Sequence, residues 1–238
     1  MAVLVLCPLF TAMTGEPNIY ALTLLPLNVL FWAATRIFRL NLGVRSGNLR
    51  GYLFSLLYPI AVMGMTSLII LFAGAMQVDN IVVTTLGRRI FVLVLTEEGF
   101  FRGWLWSILE KTSQKLWIRL IWTSGVFCLW HYAVTTMVFH LPKVNVPIYL
   151  GNILLIGLVF GLLRQMSGSV LVPSVSHALW NALSYTLYGM GEKPGALTIT
   201  SRNLFDPEIG FMGLLLNLIA VVLLWRMVVK RGGTQRDN

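Results

Sequence analysis

Ionisable and amide side chains interrupt the apolar stretches of this chain in three places. They read TEEGFFRG, with Glu97, Glu98 and Arg102; FCLWH, with Phe127 and His131; and SHALWN, with His177 and Asn181. A charged side chain at the centre of a bilayer costs at least about 2.5–3.5 kcal/mol on insertion scales. Carboxylates, imidazoles and a guanidinium persist there only with partners or with a task. Together these residue types are the parts of a hydrolytic site. A carboxylate or imidazole takes a proton from water, and N–H groups steady the oxyanion that follows.

Helical spacing sorts them. Glu98 and Arg102 are four residues apart, share a face and can pair, which keeps both charged. Regular α-helical geometry turns Glu97 roughly 140° away from Arg102. That frees Glu97 to act on something else, as a general base would. The competing reading makes both glutamates a charge network that holds helices together. His131 follows Phe127 by one helical turn; alone, it reads more readily as a hydrogen-bonded packing residue, and the second embedded histidine changes that weighing. His177 and Asn181 also share a face and can offer two hydrogen bonds to an oxyanion, or serve as polar contacts between helices. A zinc set of Glu97, His131 and His177 is an alternative, but HExxH is absent and a metal-free site accounts for the same residues. Cys128, three residues before His131, is a conceivable nucleophile, although an apolar cysteine is ordinarily inert. His140 reads as a loop residue, and Asn28, Asn152 and Asn217 as interhelical hydrogen-bond partners.

The elements that must position these groups are apolar. The chain has 238 residues, 57% of them hydrophobic, and a mean hydropathy of +0.77. Only 11% are charged, against about 25% in soluble domains. The composition implies an integral, multi-pass membrane protein of one domain, residues 1–238, with its chemistry in 90–190. A spanning helix needs about 20 apolar residues. The stretches 19–35, 52–76, 90–109, 118–137, 147–163, 169–190 and 211–229 qualify or come close, and 1–13 is a shorter apolar segment. The expected fold is therefore an all-α bundle of about eight transmembrane helices, seven if 1–13 does not span, enclosing a polar cavity.

The net charge of +9 sits mostly between apolar runs, where topology places cations, so no nucleic-acid partner is expected. Loop 36–50, connector 110–117, Arg164 and the C-terminal tail fall on one side by alternation, the cytoplasmic side; Arg88 and Arg89 do not fit that pattern. The N-terminal stretch lacks a basic lead, so a cleaved signal peptide is not expected. The chain ends RDN and so carries no prenylation box.

The ordered motifs EExxxR, FxxxH and HxxxN, with the block RQMSGSVLVPSVSHALWNAL, resemble the CPBP family of intramembrane endopeptidases. That family includes the CAAX prenyl endopeptidase and bacterial proteins of self-immunity and surface-protein maturation. The resemblance covers residues 90–190. It implies a bundle of about eight helices with a cavity open to one membrane face and to lipid. It implies that Glu97 activates water with His131, that His177 and Asn181 stabilise the oxyanion, that Glu98 and Arg102 order the site, and that Phe127 packs beneath His131. No resident cofactor is expected. The expected activity is cleavage of a peptide bond in a membrane-anchored or lipidated protein or peptide, with the lipid bilayer as the other partner, in the inner membrane if the source is bacterial. Two other readings stand beside it. One is a non-enzymatic membrane chaperone or immunity-type binder using the same cavity. The other is a carrier, for which the expected inverted repeats are missing.

Overall fold

The computed structural model describes residues 25–74, 76–78, 95–112, 115–136, 145–190 and 193–234. The segment 1–13, Arg88, Arg89 and His140 lie outside the described residues. Each of the seven longer apolar stretches is helical over most of its described part, with 52–76 and 169–190 running on into a turn and then a strand. Helix α1 is Leu25–Phe38 and α2 is Leu49–Phe72. A helix then runs from residue 95, through a π-helical segment Gly99–Leu105, into α3, Trp106–Lys111. Next come α4 Leu116–Val134, α5 Val146–Ser167, α6 Leu171–Leu187, a short α7 Arg202–Phe205, and α8 Phe211–Thr234. Among the described residues, α2, α5 and Phe211–Lys230 of α8 are long and apolar enough to cross a membrane.

Local chemistry sets the helix ends. Asn48 Oδ1 accepts from Gly51 N at 2.7 Å and caps α2. Asn145 caps α5 by accepting from Ile148 N, with Pro147 in the first turn, where a missing N–H costs nothing. Gly168 ends α5 at φ 66°, a left-handed conformation that glycine adopts without penalty.

Packing centres on α5, which lies between α4 and α8, while α2 packs along α6. Val159, Phe160 and Leu163 of α5 are fully buried, with Phe101, Phe127 and Trp130 against them. By contrast, α2 exposes Leu53, Leu56, Leu57 and Ile60, and α8 exposes Leu215, Leu218, Ile219 and Leu223. Apolar faces of that extent suit lipid rather than water.

Two short ladders supplement the helical expectation. Strand β1 (Met76–Val78) pairs antiparallel with β4 (Leu197–Ile199), and β2 (Gly189–Met190) pairs with β3 (Lys193–Pro194). They satisfy backbone groups that helices do not, at the end of the bundle where α2 and α6 finish.

The opposite end is fastened by the loop 39–48. Arg45 Nε donates to Gly168 O at 3.0 Å, Ser169 Oγ to Arg45 O at 2.5 Å, Val170 N to Gly43 O at 2.9 Å, and Asn48 Nδ2 to Met166 O at 3.1 Å. Ser107 Oγ reaches Asn41 O from α3. Loop 36–50 and the connector after Arg164 thus meet at one end of the bundle.

Candidate active site

The first motif is built on an unusual helix. A π-helical turn hydrogen-bonds five residues back, widening the helix, and such turns concentrate at functional sites. Here it starts at Gly99, directly after Glu97 and Glu98. The wider turn changes the angular relation expected for a regular α-helix. Arg102 lies within electrostatic reach of Glu97 as well as Glu98, so Glu97 is not the isolated carboxylate that α-helical spacing suggests. The expected pair does form: Arg102 Nη1 donates to Glu98 Oε1 at 3.1 Å, both side chains fully buried.

The other motifs converge on this pair. His177 Nδ1 donates to the same Glu98 Oε1 at 2.9 Å, from a residue 79 positions away. Glu98 thus holds a guanidinium with one oxygen and orients an imidazole with that same atom. His131 Nδ1 lies 3.0 Å from Phe127 O. A carbonyl oxygen only accepts, so Nδ1 carries the proton, and in the neutral ring Nε2 presents a lone pair. His177 follows the same logic: with Nδ1 donating to a carboxylate, Nε2 accepts in the neutral ring and donates only in the imidazolium.

Aromatic rings set the spacing. Phe127 lies between the two histidines, 4.2 Å from the His131 ring centroid and 5.8 Å from that of His177. The Arg102 guanidinium carbon sits 4.4 Å from the same Phe127 ring, an attraction to the ring face that partly offsets desolvation. Phe160 of α5 stacks on His177 at 4.8 Å and 25°. Phe127 is therefore more than padding beneath His131: it touches both imidazoles and the arginine.

Among the described residues, the sequence candidates Glu98, Arg102, Phe127, His131 and His177 are thus one cluster. Glu97 is 2% exposed and beside them. It lies within electrostatic reach of Tyr149 and Tyr185, on α5 and α6. Asn181 is half-buried one turn beyond His177. Cys128 is not part of the cluster, because its thiol donates to Leu150 O on α5. Asn28, Asn152 and Asn217 do make interhelical bonds, to Thr96 O, Gly210 O and Asn152 Oδ1 respectively. No group of three or more His, Cys, Asp or Glu side chains that could hold a metal occurs among the described residues.

Two residues of this site escape sequence reasoning. Arg164 looks like a topology charge, yet it is 3% exposed. Its Nε donates to the Arg102 carbonyl at 2.9 Å, supporting the π-helical turn from α5. Gly157 is the other. Its carbonyl accepts from Arg102 Nη2 at 2.9 Å, and a Cβ there would lie 3.2 Å from that nitrogen and 3.1 Å from Ser124 Cβ. Gly157→Ala is expected to displace the guanidinium and cost about 1–3 kcal/mol, read as a lower thermal midpoint of the purified protein. An unchanged midpoint contradicts the packing described here.

No curated protein and no solved structure matches the chain. Residues 80–183 match the family model described as type II CAAX prenyl endopeptidase Rce1-like. That segment holds every candidate side chain named from the motifs, and over it the chain is similar to the Rce1-like CAAX endopeptidases.

Proposed function

We propose that this protein is an intramembrane endopeptidase that cleaves a membrane-anchored or lipidated protein or peptide by direct attack of water. The observation that carries the reading is the Glu98 carboxylate, which ties the first motif to the third while Phe127 ties the second to both. Three motifs far apart in sequence meet at one buried polar centre.

In this mechanism Glu97 and the Nε2 of His131 hold water and take its proton. The water oxygen attacks the scissile carbonyl carbon. His177 and Asn181 donate to the oxyanion, and the proton passes to the leaving amine. Donation from His177 Nε2 requires the imidazolium, with Nδ1 already given to the Glu98 carboxylate. The dry aromatic wall of Phe127 and Phe160 strengthens each of these interactions by excluding water. No resident metal is needed for these steps, and the peptide substrate and the bilayer are the only partners invoked.

Hydrolysis by water has a direct signature. Purified protein in liposomes, incubated with isolated membrane proteins in 18O-enriched water, is expected to place 18O in newly formed C-terminal carboxylates. A protein that only binds its partner leaves no labelled termini, and that result removes the endopeptidase reading.

A further inference from the structure

Beyond the matched residues 80–183, the segment between α7 and α8 brings a further acid to the same helix face. His177, Trp180, Asn181 and Ser184 form one stripe along α6, at the spacing i, i+3, i+4 and i+7. Ser184 Oγ donates to Glu208 Oε2 at 3.3 Å, and Trp180 also hydrogen-bonds the Glu208 side chain. The stripe that begins at His177 thus ends on Glu208. Tyr149 and Tyr185 lie within electrostatic reach of both Glu97 and Glu208, and Glu208 is within reach of His177.

The segment carrying Glu208 is rigidly built. Asp206 is 2% exposed; its Oδ1 accepts from Glu208 N at 2.9 Å and Ile209 N at 3.2 Å, and its Oδ2 from Arg202 at 2.8 Å. Asn152 Nδ2 donates to Gly210 O at 3.0 Å, Asn217 Nδ2 to Asn152 Oδ1 at 3.0 Å, and Tyr58 OH to Asn217 Oδ1 at 2.8 Å. Helices α2, α5 and α8 all hold this turn in place. Yet Arg202, the nearby cation, is committed to Asp206, and both hydrogen-bond partners of Glu208 are neutral. A half-buried carboxylate surrounded by neutral donors is complementary to a positive ligand.

Resting on the endopeptidase reading, we propose that Glu208 is a specificity-determining residue that receives an ammonium or guanidinium group of the substrate. From His177 to Ser184 is seven residues, about 10 Å at the helical rise. An extended peptide covers that in about three residues. The basic residue therefore lies within about three positions of the scissile bond. Burial and Asp206 push Glu208 up to about 7, so the attraction is present at pH 8 and lost at pH 6, where the carboxyl is protonated while lysine and arginine stay charged. The groups facing it are Asp206 and Arg202 on its own segment, Tyr58 on α2, Tyr149 on α5, and Tyr185 and His177 on α6.

The test uses full-length protein in liposomes with isolated membrane proteins, and sequences the termini that form. Wild type is expected to favour sites with Lys or Arg within three positions by about tenfold, the value of one charge-assisted hydrogen bond. Glu208→Gln is expected to lose that preference, through slower cleavage at the sites flanked by Lys or Arg, and Glu208→Lys to turn the preference toward acidic residues. Preference for basic residues that fades between pH 8 and pH 6 in wild type alone supports the assignment. Cleavage by wild type with no charge preference, or the same preference in Glu208→Gln, overturns this proposal and leaves the endopeptidase reading intact. Absence of any wild-type cleavage overturns both.

Discussion

Glu98→Ala is expected to lower stability by about 3–5 kcal/mol, the cost of leaving a buried charge without its partner. The carboxylate it removes is fully buried and serves two donors at once, Arg102 Nη1 and His177 Nδ1. After truncation, the Arg102 guanidinium keeps the Gly157 carbonyl and the face of Phe127. Neither replaces a counter-charge. His177 loses the acceptor that fixes its tautomer, so its Nε2 no longer has a defined role. Activity and fold should therefore fail together. A second substitution separates the two effects. Glu98→Leu combined with Arg102→Met removes both charges and keeps apolar volume, and such double replacements are often neutral or stabilising. The thermal midpoint of the double variant should return toward wild type while cleavage stays absent. Should the single variant melt with wild type, Glu98 is not the hub of the site.

The second large effect is the reverse, a loss of chemistry with the fold retained. Glu97→Gln keeps the shape and hydrogen-bonding capacity of the side chain and removes its basicity. Proton transfer by a positioned side chain contributes about 10²–10⁴-fold, so cleavage should fall by at least that factor. The neutral amide still fits beside Arg102, whose direct ion pair is with Glu98. The midpoint should accordingly move by no more than about 2 °C, under 1 kcal/mol for a chain of this length. Contrasting Glu97→Gln with Glu98→Ala thus distinguishes the two adjacent acids: one for the reaction, one for the architecture.

Which parts of this arrangement could be read from the chain follows from the range of each interaction. Apolar runs of helical length mark α2, α5 and α8 because hydropathy is a local property. The Glu98–Arg102 pair was legible because residues four apart meet on any helix. The π-helical turn was not, since nothing in EEGFFRGWL distinguishes it from an ordinary turn. It depends on Arg164, 62 residues on, taking the Arg102 carbonyl. Arg45 and Arg164 show the limit of charge counting. Both belong to regions that topology explains, yet one fastens the α5–α6 junction through Gly168 O and the other is buried against the site. The contact of His177 with Glu98 spans 79 residues, so spacing alone brought the motifs only to separate helices. Glu208 carried no motif at all. Its place emerges only when the turn before α8 folds back over α6.

If Glu97 activates the attacking water, neutralising it stops cleavage and leaves the protein in place. The most direct measurement compares protein termini in membranes from cells producing wild type or Glu97→Gln at equal abundance. Specific new termini with wild type alone are the predicted result, and they identify the substrates. Matching profiles, with the wild-type phenotype preserved in the variant, contradict the account and leave the polar cluster a role in binding or structure.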